Sequence, residues 1–433
     1  MTRLHDGWGR VRNSYLPIPT VMLVLAIGGA IGMVWVDELL LRAGVRVVWL
    51  TTLKADAARS ILATLAGSMA TIASVVFSIT IVALQLAASQ FGPHVMRAFL
   101  ADRGSQFAFG TFVAIFAYAL VVLVTGRADS GFVPYAATYL GIVLGIAAMG
   151  VLVYFISHVA NSIRLESVID ALADSLAEAT ETVFPERLGS AEPVEPKPAS
   201  ATPGWFHDRD VVVEARASGY IRRIDSRALM RLAASHDLLI RLEALPGDFV
   251  VPGMALMTVA PRTRLEASTP GRLRGVVALG ERRTPEQDIP YAFQQLTEVA
   301  VRALSPGINA PFTAIPAIDA IAAGLVRVTE RRMPASRRLD RSGTERILLA
   351  RFHTLAELAH DALGPIASAA TRQAFVGARV VEVAFLLASR ARLARDRDEL
   401  LAFAEAIAED AIAALGSERE RMIIRARRDA AAP

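Results

Sequence analysis

The chain of 433 residues contains no cysteine. This absence excludes disulfides, thiol nucleophiles and zinc–thiolate sites. Lysine is almost absent as well, since Lys54 and Lys197 are the only two and neither follows a Gly-rich run, which excludes a Walker A loop. The motifs GxSxG and HExxH are also missing. With no constellation of acid, base and nucleophile, the sequence predicts neither an enzyme nor a cofactor or metal site.

Charge is scarce in long stretches of the first 160 residues. The chain is 53% hydrophobic and 20% charged, whereas soluble domains carry more charge and less apolar residue. The net charge of +4 is too small to argue for nucleic acid as a partner. Four windows without Asp, Glu, Lys or Arg can each cross a hydrocarbon core about 30 Å thick. We therefore predict transmembrane spans at about residues 16–37, 60–90, 105–126 and 132–157 of a transmembrane domain at 1–161.

The first apolar run is too long for the core of a signal peptide and lacks a small-x-small cleavage site, so we expect it to be a span. Four spans place both termini on the same side of the membrane. Arginines and lysine flank the two sides almost equally, so the positive-inside rule does not decide the orientation. The large Arg-rich tail has no export signal of its own, and we predict a bacterial inner-membrane protein with both termini in the cytoplasm.

An amphipathic helix is predicted at residues 162–184, immediately after the fourth span. Its apolar residues recur with a 4-3-4-3-4 spacing, and acids occupy the other face. The pattern fits a short oligomeric coiled coil and fits equally a helix packed on the chain's own soluble domain. The apolar positions are Leu165, Ile169, Leu172, Leu176, Ala179 and Val183.

A Pro-rich linker at residues 185–208 leads to a predicted cytoplasmic α+β domain. Its part at 209–280 is β-rich, and its part at 281–433 is helical, with helices expected at 285–304, 311–330, 344–363, 370–394 and 397–415. The fold class is thus an α-helical membrane bundle of four spans with a cytoplasmic α+β domain. The hairpin around PGDFVVPG is similar to those of biotinyl and lipoyl carriers, but the domain contains no Lys at the turn, which excludes carrier activity.

The second span carries a line of small polar residues. At 100° per residue the line falls within an arc of roughly 120° over about seven turns, while Thr80 lies on the opposite side. No ionisable residue interrupts the line, and the apolar Val82 lies in its middle. We call this line the polar face; its members are Thr64, Ser68, Thr71, Ser74, Ser78, Val82, Gln85 and Ser89.

Two interpretations of the polar face remain open. Small hydroxyl residues let membrane helices approach closely and bond to backbone carbonyls, which is common in helix bundles. Alternatively the face lines a water-filled path, in which hydroxyls and an amide coordinate ions and Val82 forms a hydrophobic constriction. The lack of charge favours a passive pore over a proton relay or a coupled transporter.

Other features have smaller predicted roles. Gly28–Gly32 and Gly141–Gly145 predict close helix contacts. The loop QFGPHVMRAFLADRGSQ predicts a basic segment at the lipid interface, with His94, Arg97 and Arg103 near the headgroups. His158 and Asn161 are interpreted mainly as a solvated polar helix end, although an interfacial His titrates near neutral pH.

Three positions in the soluble part are interpreted structurally. In RTPEQD we predict Thr284 as an N-cap, Pro285 at the first helical position and Gln287 completing a capping box. ALSPGINAPFTA predicts a joint between two helices. His353 and His360 are seven residues apart on one predicted helix face, which is too few ligands for a metal site.

Three phrases of the sequence resemble a known family: VALQLAASQFGPHVMRAFLADRGSQFAFGTF, GYIRRID and RTPEQDIPYAFQQLTEVAVRALSPGINAPFTA. They are similar to the bacterial family of predicted membrane proteins known as a domain of unknown function, DUF 2254. The resemblance covers nearly the whole chain and implies several inner-membrane spans with a cytoplasmic C-terminal part, but no activity. Where the family leads us to expect an acid, this chain has Ala310, which cannot cap a helix with its side chain, so Asn309 is the expected substitute.

We therefore predict an ion-conducting channel or pore that is lined by the polar face and gated or assembled by the cytoplasmic domain. One polar face per chain cannot enclose a path, so the prediction requires a homo-oligomer, with membrane lipid and a permeant ion as the other partners. The alternative is a non-conducting membrane-anchored scaffold or sensor whose cytoplasmic domain binds a partner or a small ligand.

Overall fold

The structure is a computed structural model that describes residues 17–43, 54–91, 102–125, 133–162, 165–184, 210–331, 337–340 and 342–431. The predicted interface residues His94 and Arg97 and the predicted linker at 185–208 lie outside these residues. The chain divides into two compact units, Met1–Val168 and Ile169–Pro433.

The first unit is a bundle of apolar helices. They are α1 (Pro17–Arg42), α2 (Ala55–Phe91), α3 (Arg103–Thr125) and α4 (Tyr135–Ser162). These four helices and Pro311–Thr329 of the second unit are the five in the described chain that are long and apolar enough to cross a membrane. The outer surfaces of α1 and α4 expose large apolar side chains such as Trp35 at 70% and Ile146 at 69%. Such a surface is expected to face hydrocarbon rather than water.

Helix α3 is the centre of the first unit. It packs against α1, α2 and α4, and 44% of its most apolar stretch is buried, against 11–22% for the other three helices. Phe112, Ala119 and Val122 are fully buried in its middle. At Gly110 the backbone of α1 comes so close that an added Cβ would lie 3.0 Å from Pro19 Cα. A small residue is therefore required where α1 crosses α3.

The two predicted glycine pairs differ in how closely neighbouring helices approach them. A Cβ at Gly145 would lie 2.7 Å from Leu65 of α2, and one at Gly141 would touch the same leucine, so this pair packs closely as predicted. A Cβ at Gly28 or Gly32 would meet no described atom within 4 Å. Within one chain the predicted close contact at Gly28–Gly32 is therefore wrong, because that face of α1 points away from its neighbours.

A buried carboxylate joins three helices at one end of the bundle. The two oxygens of Asp37 in α1 accept hydrogen bonds from the backbone N–H groups of Ala136 and Ala137, both at 2.9 Å. These donors belong to the first turn of α4, where no intrahelical acceptor exists. The hydroxyl of Tyr118 in α3 donates to the carbonyl of Ala137 at 2.8 Å. Asp37 is 7% exposed, so the cluster anchors α1, α3 and α4 to one another.

Helix α5 (Leu165–Val183) belongs to the second unit from Ile169 onward, and strands follow it in the chain. They are β1 (Val211–Glu214), β2 (Gly219–Ile224), β3 (Leu239–Leu242), β4 (Phe249–Val250), β5 (Ala255–Ala260), β6 (Val277–Gly280), β7 (Arg337–Leu339) and β8 (Glu345–Leu349). One sheet has the order β1-β5-β3-β8-β7 and the other the order β4-β2-β6. The short helices α6 (Ser226–Ser235) and α7 (Thr269–Arg274) lie between strands in the chain, and Leu229 and Leu273 bury their side chains in the shared core.

A helical bundle forms the rest of the second unit. Its members are α8 (Ile289–Ala303), α9 (Pro311–Thr329), α10 (Leu355–Ala369), α11 (Ala374–Arg390), α12 (Ala394–Ala414) and α13 (Glu418–Ala431). The apolar helix α9 packs against α8, α10 and α11. Half of its most apolar stretch is buried there, and its Asp319 pairs with Arg379 at 2.8 Å.

The prediction of a helix at 344–363 is wrong in its first half. Glu345–Leu349 forms β8, which pairs antiparallel with β7 and parallel with β3. The run ERILL fits either a helix or a strand, and burial of Ile347 and Leu348 in the sheet decides for the strand. Helix α10 begins after Thr354, whose side chain forms a capping box with Glu357. The T-x-x-E signal for this start is present in the sequence.

Helix α5 packs on the chain's own second unit, which is one of the two alternatives that the spacing allowed. Leu176 is 1% exposed and lies against Gly324 of α9, at a position that Phe293 of α8 also approaches. Arg331 holds the end of the helix by donating to the carbonyl of Phe184 at 2.7 Å and pairing with Glu181 at 3.2 Å. Three of its apolar positions, Ile169, Leu176 and Ala179, are therefore core within the second unit.

We predict that Gly324→Ala lowers the thermal unfolding midpoint of the purified protein. The new Cβ would overlap Leu176 and come within 3.1 Å of Phe293, and overpacking of a core costs about 1–3 kcal/mol. Gly377→Ala is the matched control, since its Cβ would make ordinary contacts at 3.6 and 3.8 Å. The control should keep or raise the midpoint, because alanine in a helix is about 1 kcal/mol better than glycine. Equal midpoints would refute the close packing of α5.

We predict that Asp37→Ala destabilises the membrane bundle, because two buried N–H groups lose their acceptor at about 1–3 kcal/mol each. The neighbouring Glu38→Ala is the control, as the partner of Glu38 among the described residues is Arg42, in an exposed pair, and such pairs contribute about 0.3–0.5 kcal/mol. Unfolding of both variants in detergent is the measurement. If Glu38→Ala is as damaging as Asp37→Ala, the anchoring role of Asp37 is wrong.

Candidate functional site

Helix α2 runs for 37 residues and presents two different faces. One face packs inside the bundle and consists of small and medium apolar residues. At 100° per residue its centre lies roughly 190° from the centre of the polar face. The members of this packed face are Ala58, Leu62, Ala66, Met69, Ala73, Val76 and Ala83. The packing of α2 within its own chain thus uses the side opposite to the polar face.

The polar face is exposed wherever its side chains are described. This holds for Thr64, Ser68, Thr71, Ser74, Ser78, Val82 and Gln85. Val82 is 62% exposed, in the middle of the polar positions. Ser89 lies in the last turn of α2, and its side chain is outside the described residues. The structure therefore brings the predicted residues together on one surface, but it does not bury that surface inside the chain.

Two hydroxyls of the polar face bond to their own helix. Thr71 donates to the carbonyl of Gly67 at 3.0 Å, and Ser74 donates to the carbonyl of Ala70 at 2.9 Å. Such bonds satisfy the hydroxyl hydrogen while leaving the oxygen lone pairs directed outward. Thr80 on the opposite side is half-buried and bonds in the same way to Val76 at 2.8 Å. The polar face thus presents hydrogen-bond acceptors to whatever covers it.

Apolar side chains flank the polar face on both sides. At 100° per residue Phe77, 47% exposed, and Ile81, 36% exposed, lie on one side of the face, and Ile79, 41% exposed, lies on the other. Val75, 50% exposed, lies within the arc of the face. Phe77 also approaches Phe109 of α3, with ring centroids 5.9 Å apart. The exterior of the bundle along α2 is therefore a polar strip between two apolar margins.

A second polar arrangement lies at the end of α4 that is opposite to Asp37. His158 Nε2 is 2.7 Å from Asp102 Oδ2. The same carboxylate caps α3 by accepting from the N–H of Ser105 at 2.9 Å. Gly104 is required there, since a Cβ would overlap the His158 ring. The interpretation of His158 as a solvated helix end is therefore wrong: its side chain is 24% exposed and paired.

The pairing of Asp102 with His158 could not be predicted from the sequence, because the two residues are 56 positions apart. Asp102 precedes a charge-free window, which is the signature of an N-cap, but nothing in the sequence places it beside His158. Ser105 and Gln106 in the first turn of α3 are also buried, at 6% and 3% exposure. Arg103 lies at the start of α3 and is exposed, and its place at the lipid interface stays a prediction.

His353 and His360 do not share a helix face, because α10 begins at Leu355 and His353 precedes it. Both nevertheless line one open cavity of about 480 Å³ together with Glu357 and Glu399. His360 stacks on Phe403 with centroids 4.1 Å apart. Among the described residues no group of three or more His, Asp or Glu side chains is placed to hold a metal ion.

The segment RTPEQD caps its helix differently from the prediction. Asp288 is the N-cap of α8, and its carboxylate accepts from the N–H of Tyr291 at 3.1 Å. Thr284 is buried and does not cap. Gln287 instead bonds the backbone of Ile224 in β2, accepting from its N–H at 3.0 Å. The predicted capping box is wrong because this side chain is used as a partner for a strand.

The joint before α9 lacks a side-chain cap, as the alanine at position 310 predicted. Ala310 occupies the N-cap position without a side-chain hydrogen bond. Asn309 does not replace it, because its Oδ1 accepts instead from Gln373 Nε2 at 3.2 Å. Its backbone has φ of 45°, the left-handed region that Asn tolerates better than most residues.

Comparison with known proteins supports the resemblance noted from the sequence. A sequence model of the family described as "Predicted membrane protein (DUF2254)" matches residues 12–384. Uncharacterised proteins of Mycobacterium bovis and Mycobacterium tuberculosis are 30% identical over 294 residues, which is 66% of this chain. The chain spans about half of their length, since the match covers 55% of each relative. No solved structure matches.

The family match begins before α1 and ends within α11, so it includes the polar face, the Asp102–His158 pair and most of the second unit. The chain therefore belongs to the DUF2254 family of predicted membrane proteins.

Proposed function

We propose that the protein forms an oligomeric ion-conducting pore in which the polar face of α2 lines the path. The observation that carries the proposal is the position of this face, which is exposed and opposite to the side that packs within the chain. A path enclosed by several copies of α2 would use the described members of the face from Thr64 to Gln85, with Val82 as an apolar constriction.

The free-energy cost of placing polar groups in hydrocarbon supports a polar or aqueous environment for this face. Burying a hydroxyl or amide in hydrocarbon without a partner costs roughly 2–7 kcal/mol. Thr71 and Ser74 reduce this cost through bonds to their own backbone, but Gln85 carries two N–H donors and a carbonyl acceptor. Water in a path or a second copy of the helix would supply the missing partners. Either covering requires association between chains.

The finer membrane arrangement is part of the proposal. We infer four spans, α1 to α4, because the fifth apolar helix, α9, is half buried among helices of the second unit and pairs its Asp319 with Arg379. We also infer that both termini are cytoplasmic, that the protein resides in the bacterial inner membrane, and that the second unit gates or assembles the pore. Helix α5 is suited to that role, since it follows the last span and is packed on α9.

One observation favours the alternative, a non-conducting membrane-anchored scaffold or sensor. The bonds of Thr71 and Ser74 to their own backbone are typical of dry contacts between membrane helices. In that case the polar face would be an interface between copies without water, and the soluble unit would bind a partner or a small ligand.

Cysteine crosslinking in native membranes tests the association. Because the chain has no cysteine, Ser78→Cys and Thr71→Cys each introduce a single thiol on the polar face. We expect both to form covalent dimers under mild oxidation, since the same face of neighbouring copies would meet. Ala73→Cys on the packed face is the control and should stay monomeric. Absence of dimers at both polar positions would refute the association.

Ion flux from proteoliposomes tests conduction. Val82→Ser should raise flux several-fold by removing the apolar constriction, and Ser78→Leu should lower it several-fold by narrowing and drying the path. Thr80→Val is the control, as Thr80 lies on the opposite side and valine keeps its shape. If the wild-type protein conducts no ion and both variants behave alike while crosslinking succeeds, the non-conducting assembly is correct.

A further inference from the structure

One end of the helical bundle in the second unit is formed by two joints that meet. The first joins α8 to α9 between Ala303 and Pro311, and the second joins α10 to α11 between Ala369 and Ala374. Gln373 of the second joint donates to Asn309 of the first at 3.2 Å. Phe312 and Phe375, each in the first turn after its joint, stack with ring centroids 4.8 Å apart. We call this surface the joint end.

The joint end is unusually poor in charge. The stretch 303–318 contains no Asp, Glu, Lys or Arg, and the stretch 362–378 contains Arg372 alone. In the whole chain 20% of residues are charged. Arg372 is exposed, and no carboxylate from either stretch accompanies it. The formal charge of the two stretches is thus purely positive.

Large apolar side chains on the joint end are exposed. Phe312 is 79% exposed, the highest value among the exposed large hydrophobic side chains of the described residues, and Ile308 is 42% exposed. Pro306 and Gly307 beside them are exposed as well. An exposed aromatic and an exposed aliphatic side chain on a surface with so little charge mark a site that another apolar surface or phase is expected to cover.

We propose that the joint end inserts into the interface of an anionic lipid bilayer. Phe312 and Ile308 would enter the boundary between headgroups and acyl chains, and Arg372 would contact lipid phosphates. Charge complementarity supports a lipid partner, since the surface offers one cation and no anion from its two stretches. The second unit as a whole is tethered near the proposed membrane helices, because it begins at Ile169, shortly after the apolar α4 ends at Ser162.

The experiment uses the full chain in nanodiscs of mixed neutral and anionic phospholipid. Phe312→Cys and Ile308→Cys each provide one site for a nitroxide spin label in this cysteine-free protein. Collision with oxygen, which concentrates in lipid, is compared with collision with a water-soluble nickel chelate. We expect the labels at 308 and 312 to favour oxygen. Leu339→Cys is the control, since Leu339 is apolar and 55% exposed on β7, and its label should favour the nickel chelate.

Two results would overturn the proposal. Labels at 308 and 312 that respond like the label at 339 would show that the joint end faces water. Exclusion of both reagents, with or without spin–spin broadening, would show that a protein surface covers it, such as a second copy of the chain. Arg372→Glu in the background of Phe312→Cys tests the headgroup contact. It should reduce the preference for oxygen in anionic nanodiscs and leave it unchanged in neutral ones, and no difference would refute that contact.

Discussion

A hydroxyl, an amide or a carboxylate inside a bilayer has to find its hydrogen-bond partner within protein or trapped water. The first unit meets this constraint at both ends of α4. Asp37 accepts hydrogen bonds from two backbone N–H groups at the start of α4, and Asp102 pairs with His158 near the end of α4. The polar face of α2 is the exception, because its described side chains are exposed and lie opposite to the side of α2 that packs within the first unit. Thr71 and Ser74 bond to the backbone of α2 itself, and we propose that the remaining polar groups find partners in water or in a neighbouring copy.

The central position of α3 explains why α2 is free to present that face. Helices α1, α2 and α4 each pack on α3, and α2 also packs on α4 through Leu65, which lies next to the same packed side. In α2 that side is rich in alanine and leaves the opposite side without a structural role in the bundle. The apolar exposed sides of α1 and α4 suit lipid, whereas the exposed side of α2 suits water or another polar helix face.

Helix α5 connects α4 to the rest of the second unit. The Pro-rich stretch comes after α5 in the chain. Leu176 against Gly324 and Arg331 against Glu181 and Phe184 make α5 an integral part of the helical bundle. Since α5 packs on α9, a change in the position of α9 would act directly on the chain just after α4. This arrangement suits a soluble unit that controls a membrane assembly, which is the role proposed for it.

Hydropathy and the spacing of residues in the sequence were enough to predict several helices and the polar face. Charge-free windows predicted α1 to α4, since twenty or so apolar residues suffice to identify a helix that can cross lipid, and the 3.6-residue period predicted the polar face. Only the tertiary structure decided what each face meets. The spacing of α5 fitted a coiled coil as well as a core helix, and burial of Leu176 against Gly324 selected the core. Folding brings together partners that are far apart in the chain, such as Asp102 with His158 and Gln287 with Ile224. No local sequence pattern indicates which distant residues will meet.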